Sequence, residues 1–190
     1  SEEIKRVIED SMERLSHVED SYLKTLVIAA ERLPVNPHIL NILQEKMAKE
    51  DWKLDDIAEI IWHDPAMTVM ILKLVNGSFF GIGEPTVSVK RAASELGRET
   101  LATLINSSGL GVEVQENDKD EEYSQYWQKT LYTAEMARLL SRHLNKSQQE
   151  ETEIYSAALL HNIGELLSLH SSGQNIWAED LELAGFILLD

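Results

Sequence analysis

One short signal, repeated, sets the architecture this chain can adopt: Asn36-Pro37 and Asp64-Pro65, each followed by a run of apolar residues at helical spacing. A side-chain oxygen placed just before a helix accepts a free N–H of the first turn. Proline suits the first helical position because its missing N–H would be unpaired there anyway. After Asn36-Pro37 come Ile39, Leu40, Leu43 and Met47. After Asp64-Pro65 come Met67, Met70, Ile71, Leu74 and Val75. This three-and-four spacing is the mark of a helix with one buried face. A third start is Ser147-Gln148-Gln149-Glu150, the pattern of a capping box.

The same period runs through most of the remaining sequence. Over 2–33 it uses Ile4, Val7, Ile8, Met12, Leu15, Leu23, Leu26 and Val27, and Pro34 ends it. A short helix is expected from Leu54 to about His63, with Ile57, Ile60 and Ile61 inward. Ser88 is expected to cap a helix that stops at Gly97, and a further short helix covers 98–105. Residues 112–122 are acidic and polar and read as a solvated loop. Residues 123–144 read as a long amphipathic helix with Trp127, Leu131, Ala134 and Leu139 on its apolar side. The capping box opens a helix that runs through Leu159-Leu160-His161-Asn162-Ile163-Gly164-Glu165. Ser171-Ser172-Gly173 breaks the pattern, which resumes over 178–189. No strand emerges, so the expected fold is an all-α, multi-helix bundle. The expected organisation is an N-terminal helical extension over 1–32 and a helical domain over 33–190, within what reads as one piece of a longer protein.

Charge and composition narrow the function classes. The formal net charge is -16, which on average repels nucleic-acid phosphates and anionic membrane surfaces. No run approaches the roughly 20 apolar residues of a membrane span. The absence of cysteine excludes disulfides, thiolate-zinc sites and a thiol nucleophile, and it fits a cytoplasmic setting.

The chemistry-bearing candidate is His161-Asn162. A His-Asp pair on a helix can hold a divalent metal, the imidazole giving a nitrogen and the carboxylate a hard, bridging oxygen. Here the second member is an amide, which is neutral. His63-Asp64 also spells such a pair, but Asp64 is better explained as a helix cap. His143 and His170 fall near helix ends, where the dipole accounts for them. Trp62, Met67 and Met70 read as core. Phe79 and Phe80, in the glycine-flanked stretch that starts at Asn76, read as a contact loop. Lys90 and Arg91 lie close enough in sequence to suggest a small anion there.

Six segments in order resemble the HDOD domain, a relative of the HD phosphohydrolase superfamily. They are Leu33-Pro34-Val35-Asn36-Pro37; Leu54 to Ile61 with His63-Asp64-Pro65-Ala66-Met67-Thr68; Leu72-Lys73-Leu74-Val75-Asn76-Gly77-Ser78-Phe79-Phe80-Gly81; Val87 to Ala92 with Leu96-Gly97; Tyr126-Trp127-Gln128-Lys129-Thr130; and Ala157 to Glu165. The resemblance implies that a metal-binding histidine of catalytic relatives is replaced by Lys129, and the Asp of the pair by Asn162. Glu165 stands where a lysine commonly follows the glycine. It therefore implies a non-catalytic regulatory or output module in bacterial signal transduction, a pseudo-enzyme working through protein partners, with a homodimer among the options. It implies no cofactor and no metal at Lys129, His161, Asn162 and Glu165. The competing readings are a metal-dependent phosphohydrolase or phosphodiesterase with other ligands, and a domain that senses a nucleotide without hydrolysing it.

Overall fold

The computed structural model describes residues 33–76, 85–108 and 120–170. These form seven helices: α1 (Pro37–Met47), α2 (Leu54–Ile61), α3 (Pro65–Asn76), α4 (Val89–Ser108), α5 (Asp120–His143), α6 (Gln148–Leu160) and α7 (Ile163–His170). Among the described residues there is no strand. The expected extension over 1–32, the loop of Phe79 and Phe80, and the helical pattern over 178–189 lie outside the described residues.

The helix starts are made as the sequence dictates. Asn36 caps α1, its Oδ1 accepting the His38 N–H at 2.9 Å, with Pro37 in the first turn. Ser147 and Glu150 form both halves of the capping box at α6. Lys146 and Ser147 together hold the Glu150 carboxyl down at about 2. Asp64 does more than cap. Its Oδ1 accepts the Met67 N–H at 2.7 Å, closing the first turn of α3. Its Oδ2 accepts the Asn36 N–H at 2.8 Å, 28 residues away at the start of α1. One fully buried carboxylate thus joins two helix N-termini. Both dipoles favour the negative charge, yet burial dominates and pushes this carboxyl from 3.8 up to about 6.

α4 is two helices in one span. Ser88 Oγ accepts the Arg91 N–H at 3.2 Å, and the first segment ends at Gly97, where φ is 76° and ψ 168°. A side chain rarely adopts that geometry. The turn sends Arg98 over Trp52, with its guanidinium 4.1 Å from the ring centroid and bonded to the Glu50 carbonyl at 2.7 Å. α1 and α3 both pack on α4, and α2 lies between α1 and α4. α5, α6 and α7 form a second group that meets the first through α3 and α6. The seam is polar at one point. Trp62 Nε1 donates to Ser156 Oγ at 3.2 Å, Ser156 Oγ donates to the Val87 carbonyl at 3.0 Å, and Tyr155 Oη donates to the Trp62 carbonyl at 3.2 Å. Leu43, Ile57, Ile61, Met67, Ile71, Leu101, Ile105, Leu159 and Ile163 fill the core around it.

Three expectations are corrected. α5 begins at Asp120, so the end of the expected acidic loop is helix; acidic residues suit the positive end of a helix dipole. The helix opened by the capping box stops at Leu160, a turn at His161-Asn162 follows, and α7 begins at Ile163. Leu139 is exposed rather than on the packed face of α5. The buried residues there are Tyr123, Tyr126, Thr130, Ala134 and Ser141.

Two outcomes test this account. The Asp64 carboxyl, followed by carbon NMR, should be half-protonated near pH 6. Because the folded value lies above the unfolded one, this group's contribution to stability is complete below 3.8 and is lost as pH rises through about 6. A carboxyl still fully ionised well below pH 6 refutes the balance of burial over N–H donors. Gly97→Ala should cost about 1–3 kcal/mol in denaturant unfolding. The added Cβ meets nothing within 4 Å, so the whole cost is backbone strain.

Candidate functional site

The residues singled out around His161 do come together, but as a closed polar chain. Thr130 projects from the buried face of α5 and is fully enclosed. Its hydroxyl donates to Asn162 Oδ1 at 3.1 Å. Asn162 Nδ2 donates to Glu165 Oε2 at 3.2 Å, and Lys129 Nζ reaches the same oxygen at 3.2 Å. The amide orientation is fixed by its neighbours, because a carboxylate can only accept. Each member therefore has a role: hydroxyl to amide oxygen, amide N–H to carboxylate, ammonium to carboxylate. The exposed Lys129–Glu165 pair contributes little to stability by itself. The Thr130–Asn162 bond matters more, since it satisfies a buried hydroxyl.

His161 takes no part in this chain. It sits at the C-terminal end of α6, exposed, with Nδ1 2.7 Å from the Ala158 carbonyl of its own last turn. Among the described residues, no three His, Asp or Glu side chains converge to hold a metal ion. The donor set also fails on charge. A lysine ammonium stands within bonding distance of the one carboxylate, and a protonated lysine is no ligand.

Two buried side chains beside this chain were not singled out from sequence. Thr130 adjoins Lys129, and Tyr126 lies one helical turn earlier on the same buried face. The Tyr126 hydroxyl has no hydrogen-bond partner among the described residues. Burial pushes its phenol well above the usual tyrosine range; the neighbouring Thr130 hydroxyl, close by but outside hydrogen-bond geometry, opposes this, and the charges of Asp64 and Glu165 add to it. Tyr126 thus links the site to the capping carboxylate electrostatically. The signal was available: Tyr126, Thr130 and Ala134 recur every fourth residue, a stripe that polar Thr130 disguises.

The remaining candidates fall elsewhere. Asp64 is the double cap described above, with both oxygens engaged by backbone N–H groups. The Asn76 amide exchanges two bonds with the Thr86 backbone at 2.9 and 2.8 Å. Lys90 pairs with Asp55 at 2.7 Å and Arg91 with Glu95 at 3.0 Å. His63 approaches Glu135 at 3.8 Å and the Tyr155 ring edge-on. Met67 is core.

Comparisons with known proteins agree with this geometry. The HDOD domain family matches residues 33–180. An uncharacterized protein of Treponema pallidum (strain Nichols) is 30% identical over 135 residues, 71% of this chain; the match covers only 26% of that relative. The crystal structure of the MmoQ response regulator from Methylococcus capsulatus str. Bath superposes with a TM-score of 0.67 at 22% identity, over 83% of this chain and 69% of that one. A fragment of the same regulator, residues 20–298, gives 0.65 at 21% identity, over 83% and 68%. With the family match spanning most of the sequence, the chain belongs to the HDOD domain family.

Proposed function

We propose that this domain is a non-catalytic regulatory module that acts through protein contacts in a signalling pathway. The observation that carries the reading is the chain Thr130–Asn162–Glu165–Lys129. It engages Lys129, Asn162 and Oε2 of Glu165, three of the four positions where the resemblance puts the degenerate metal site, with one another. Activation of water by a bound metal needs anionic or neutral donors around an open position. Here the carboxylate is already shared between an amide and an ammonium. The signalling half of the proposal is supported by the structural likeness to a response regulator.

The test is metal content together with turnover. Purified protein is incubated with zinc, iron and manganese, freed of excess, and assayed by elemental analysis. It is then offered a generic phosphodiester with manganese or magnesium. The expected result is metal far below one equivalent and no turnover above that of His161→Ala. Near-stoichiometric metal with turnover that His161→Ala abolishes would overturn the reading. A ligand sensor would instead show a rise in melting temperature with a nucleotide and no turnover.

The polar chain makes a sharper prediction. Asn162→Asp would replace an N–H donor with a carboxylate oxygen at 3.2 Å from Glu165 Oε2. Two carboxylates that close resist double ionisation. The variant should lose about 1–3 kcal/mol at neutral pH, and part of this should return as pH falls and one carboxyl takes a proton. Equal stability loss at both pH values would show that the Asn162–Glu165 contact is not the reason for the amide. Asn162→Ala and Thr130→Val should cost less together than the sum of the two alone, because each removes the same bond.

A further inference from the structure

Asp64 holds two helix starts with two oxygens, and the two bonds differ in where they lie. The bond from the Met67 N–H to Oδ1 is buried and closes the first turn of α3 at 2.7 Å. The bond from the Asn36 N–H to Oδ2 is only half-buried and joins that turn to the start of α1 at 2.8 Å. Asn36 is itself partly exposed, whereas Met67 is fully enclosed.

A carboxylate that is completely buried and held by N–H groups alone is disfavoured in its charged form. Among the described residues, the groups that act on it are the Met67, Asn36 and Ala66 N–H groups, and none is a cation. Two titratable groups come near from other elements. The Tyr126 phenol of α5 feels the Asp64 charge, and burial keeps it in its protonated form. His63, which follows α2, is engaged elsewhere, with Nδ1 2.7 Å from the Glu59 carbonyl and Nε2 3.8 Å from Glu135.

Uptake of a proton changes the two oxygens unequally. A protonated carboxyl keeps one oxygen as an acceptor and turns the other into an O–H donor. An O–H aimed at an N–H repels it, so one of the two N–H groups loses its partner. Leaving the enclosed Met67 N–H unpaired would cost its full desolvation. The Asn36 N–H lies nearer the surface, where water can take the place of the lost acceptor. Oδ2 is therefore the oxygen that takes the proton.

We infer that Asp64 is a proton-gated joint: with a proton on Oδ2, the Asn36 N–H is let go and the start of α1 is freed from α3, while the cap of α3 stays closed. α1 remains a helix, because its own cap is the Asn36 side chain on the His38 N–H, and Leu43 keeps it on the core. The domain stays folded, since the carboxyl value of about 6 lies above the ordinary 3.8 and protonation favours the folded form. What changes is the attachment of residues 33–36. Acidification is thereby an input to the domain, whether or not the domain is catalytic.

The test is amide exchange of the full chain by NMR, expressed as protection factors so that the intrinsic pH dependence is removed. From about pH 8 to about pH 5, protection of the Asn36 amide should fall about tenfold or more. The fall should share its midpoint with the Asp64 carboxyl, and the Met67 amide should keep its protection. Asp64→Asn imitates the protonated form, because its oxygen can accept from Met67 while its NH2 group meets Asn36. In that variant the Asn36 amide should be poorly protected at every pH. His63→Gln should respond as the wild type does. Loss of protection at both amides together, or at neither, overturns the inference. So does a response that disappears in His63→Gln, or an Asn36 amide as well protected in Asp64→Asn as in the wild type at high pH. If Asp64→Asn does not fold, the wild-type titration decides alone. Metal content and turnover decide the non-catalytic reading separately.

Discussion

Two helices begin on the same carboxylate. Asp64 closes the first turn of α3 through the Met67 N–H and holds the start of α1 through the Asn36 N–H. An unpaired backbone N–H in the interior is costly, and a helix start has several. Gathering two starts on one acceptor satisfies donors that the apolar core could not. It also fixes α1 and α3 relative to each other, and both rest on α4. The penalty is a charge in a low-dielectric interior, visible as the raised carboxyl value. That charge in turn acts on the Tyr126 phenol in α5, so the first helical group and the second share an electrostatic environment.

The same physics explains the polar chain near His161. Thr130 is buried and needs an acceptor; Asn162 supplies one and turns its N–H groups toward Glu165. An aspartate at 162 would satisfy Thr130 equally well but would face Glu165 with like charge. A cation would then be required between them. With the amide, and with Lys129 on the far side of Glu165, the requirement is gone. Asn162 thus lets α7 meet α5 through hydrogen bonds that the chain itself supplies.

What could be read from the sequence was local, and what could not depended on contacts across the fold. Asn36-Pro37, Asp64-Pro65, Ser88, Gly97 and the Ser147–Glu150 box each carry their reason within four residues, and each appears where expected. The second bond of Asp64 could not be read, because its donor is 28 residues away. The break at His161-Asn162 carries no proline and no glycine at the turn itself, and the bond Asn162 makes there runs to Thr130, 32 residues away on another helix. Leu139 was misplaced because apolar periodicity identifies a face but not what lies opposite. Here α6 packs against the small side of α5, through Ala134 and Ser141, and the larger side chains are left outside. The pairing of Lys129 with Glu165 was hidden for the same reason, being a contact across 36 residues.

α5 therefore carries two different surfaces on one uninterrupted helix. Its first half contributes Tyr123, Tyr126 and Thr130 to the core and the site; its second half presents Tyr132, Met136, Leu139 and Leu140 outward. The helix contains neither glycine nor proline between Asp120 and His143, so nothing in its sequence favours a hinge. From Thr130 to Arg138, midway between the exposed Met136 and Leu140, is eight residues, about 12 Å. A partner that repositions α7 against Thr130 and Asn162 must either break a buried hydrogen bond or carry α5 with it. Because packed interiors resist continuous deformation, such a shift is a switch between arrangements rather than a gradual bend. Under the regulatory role proposed above, the bond between Thr130 and Asn162 and the exposed apolar side chains of α5 would respond together, because one uninterrupted helix carries both.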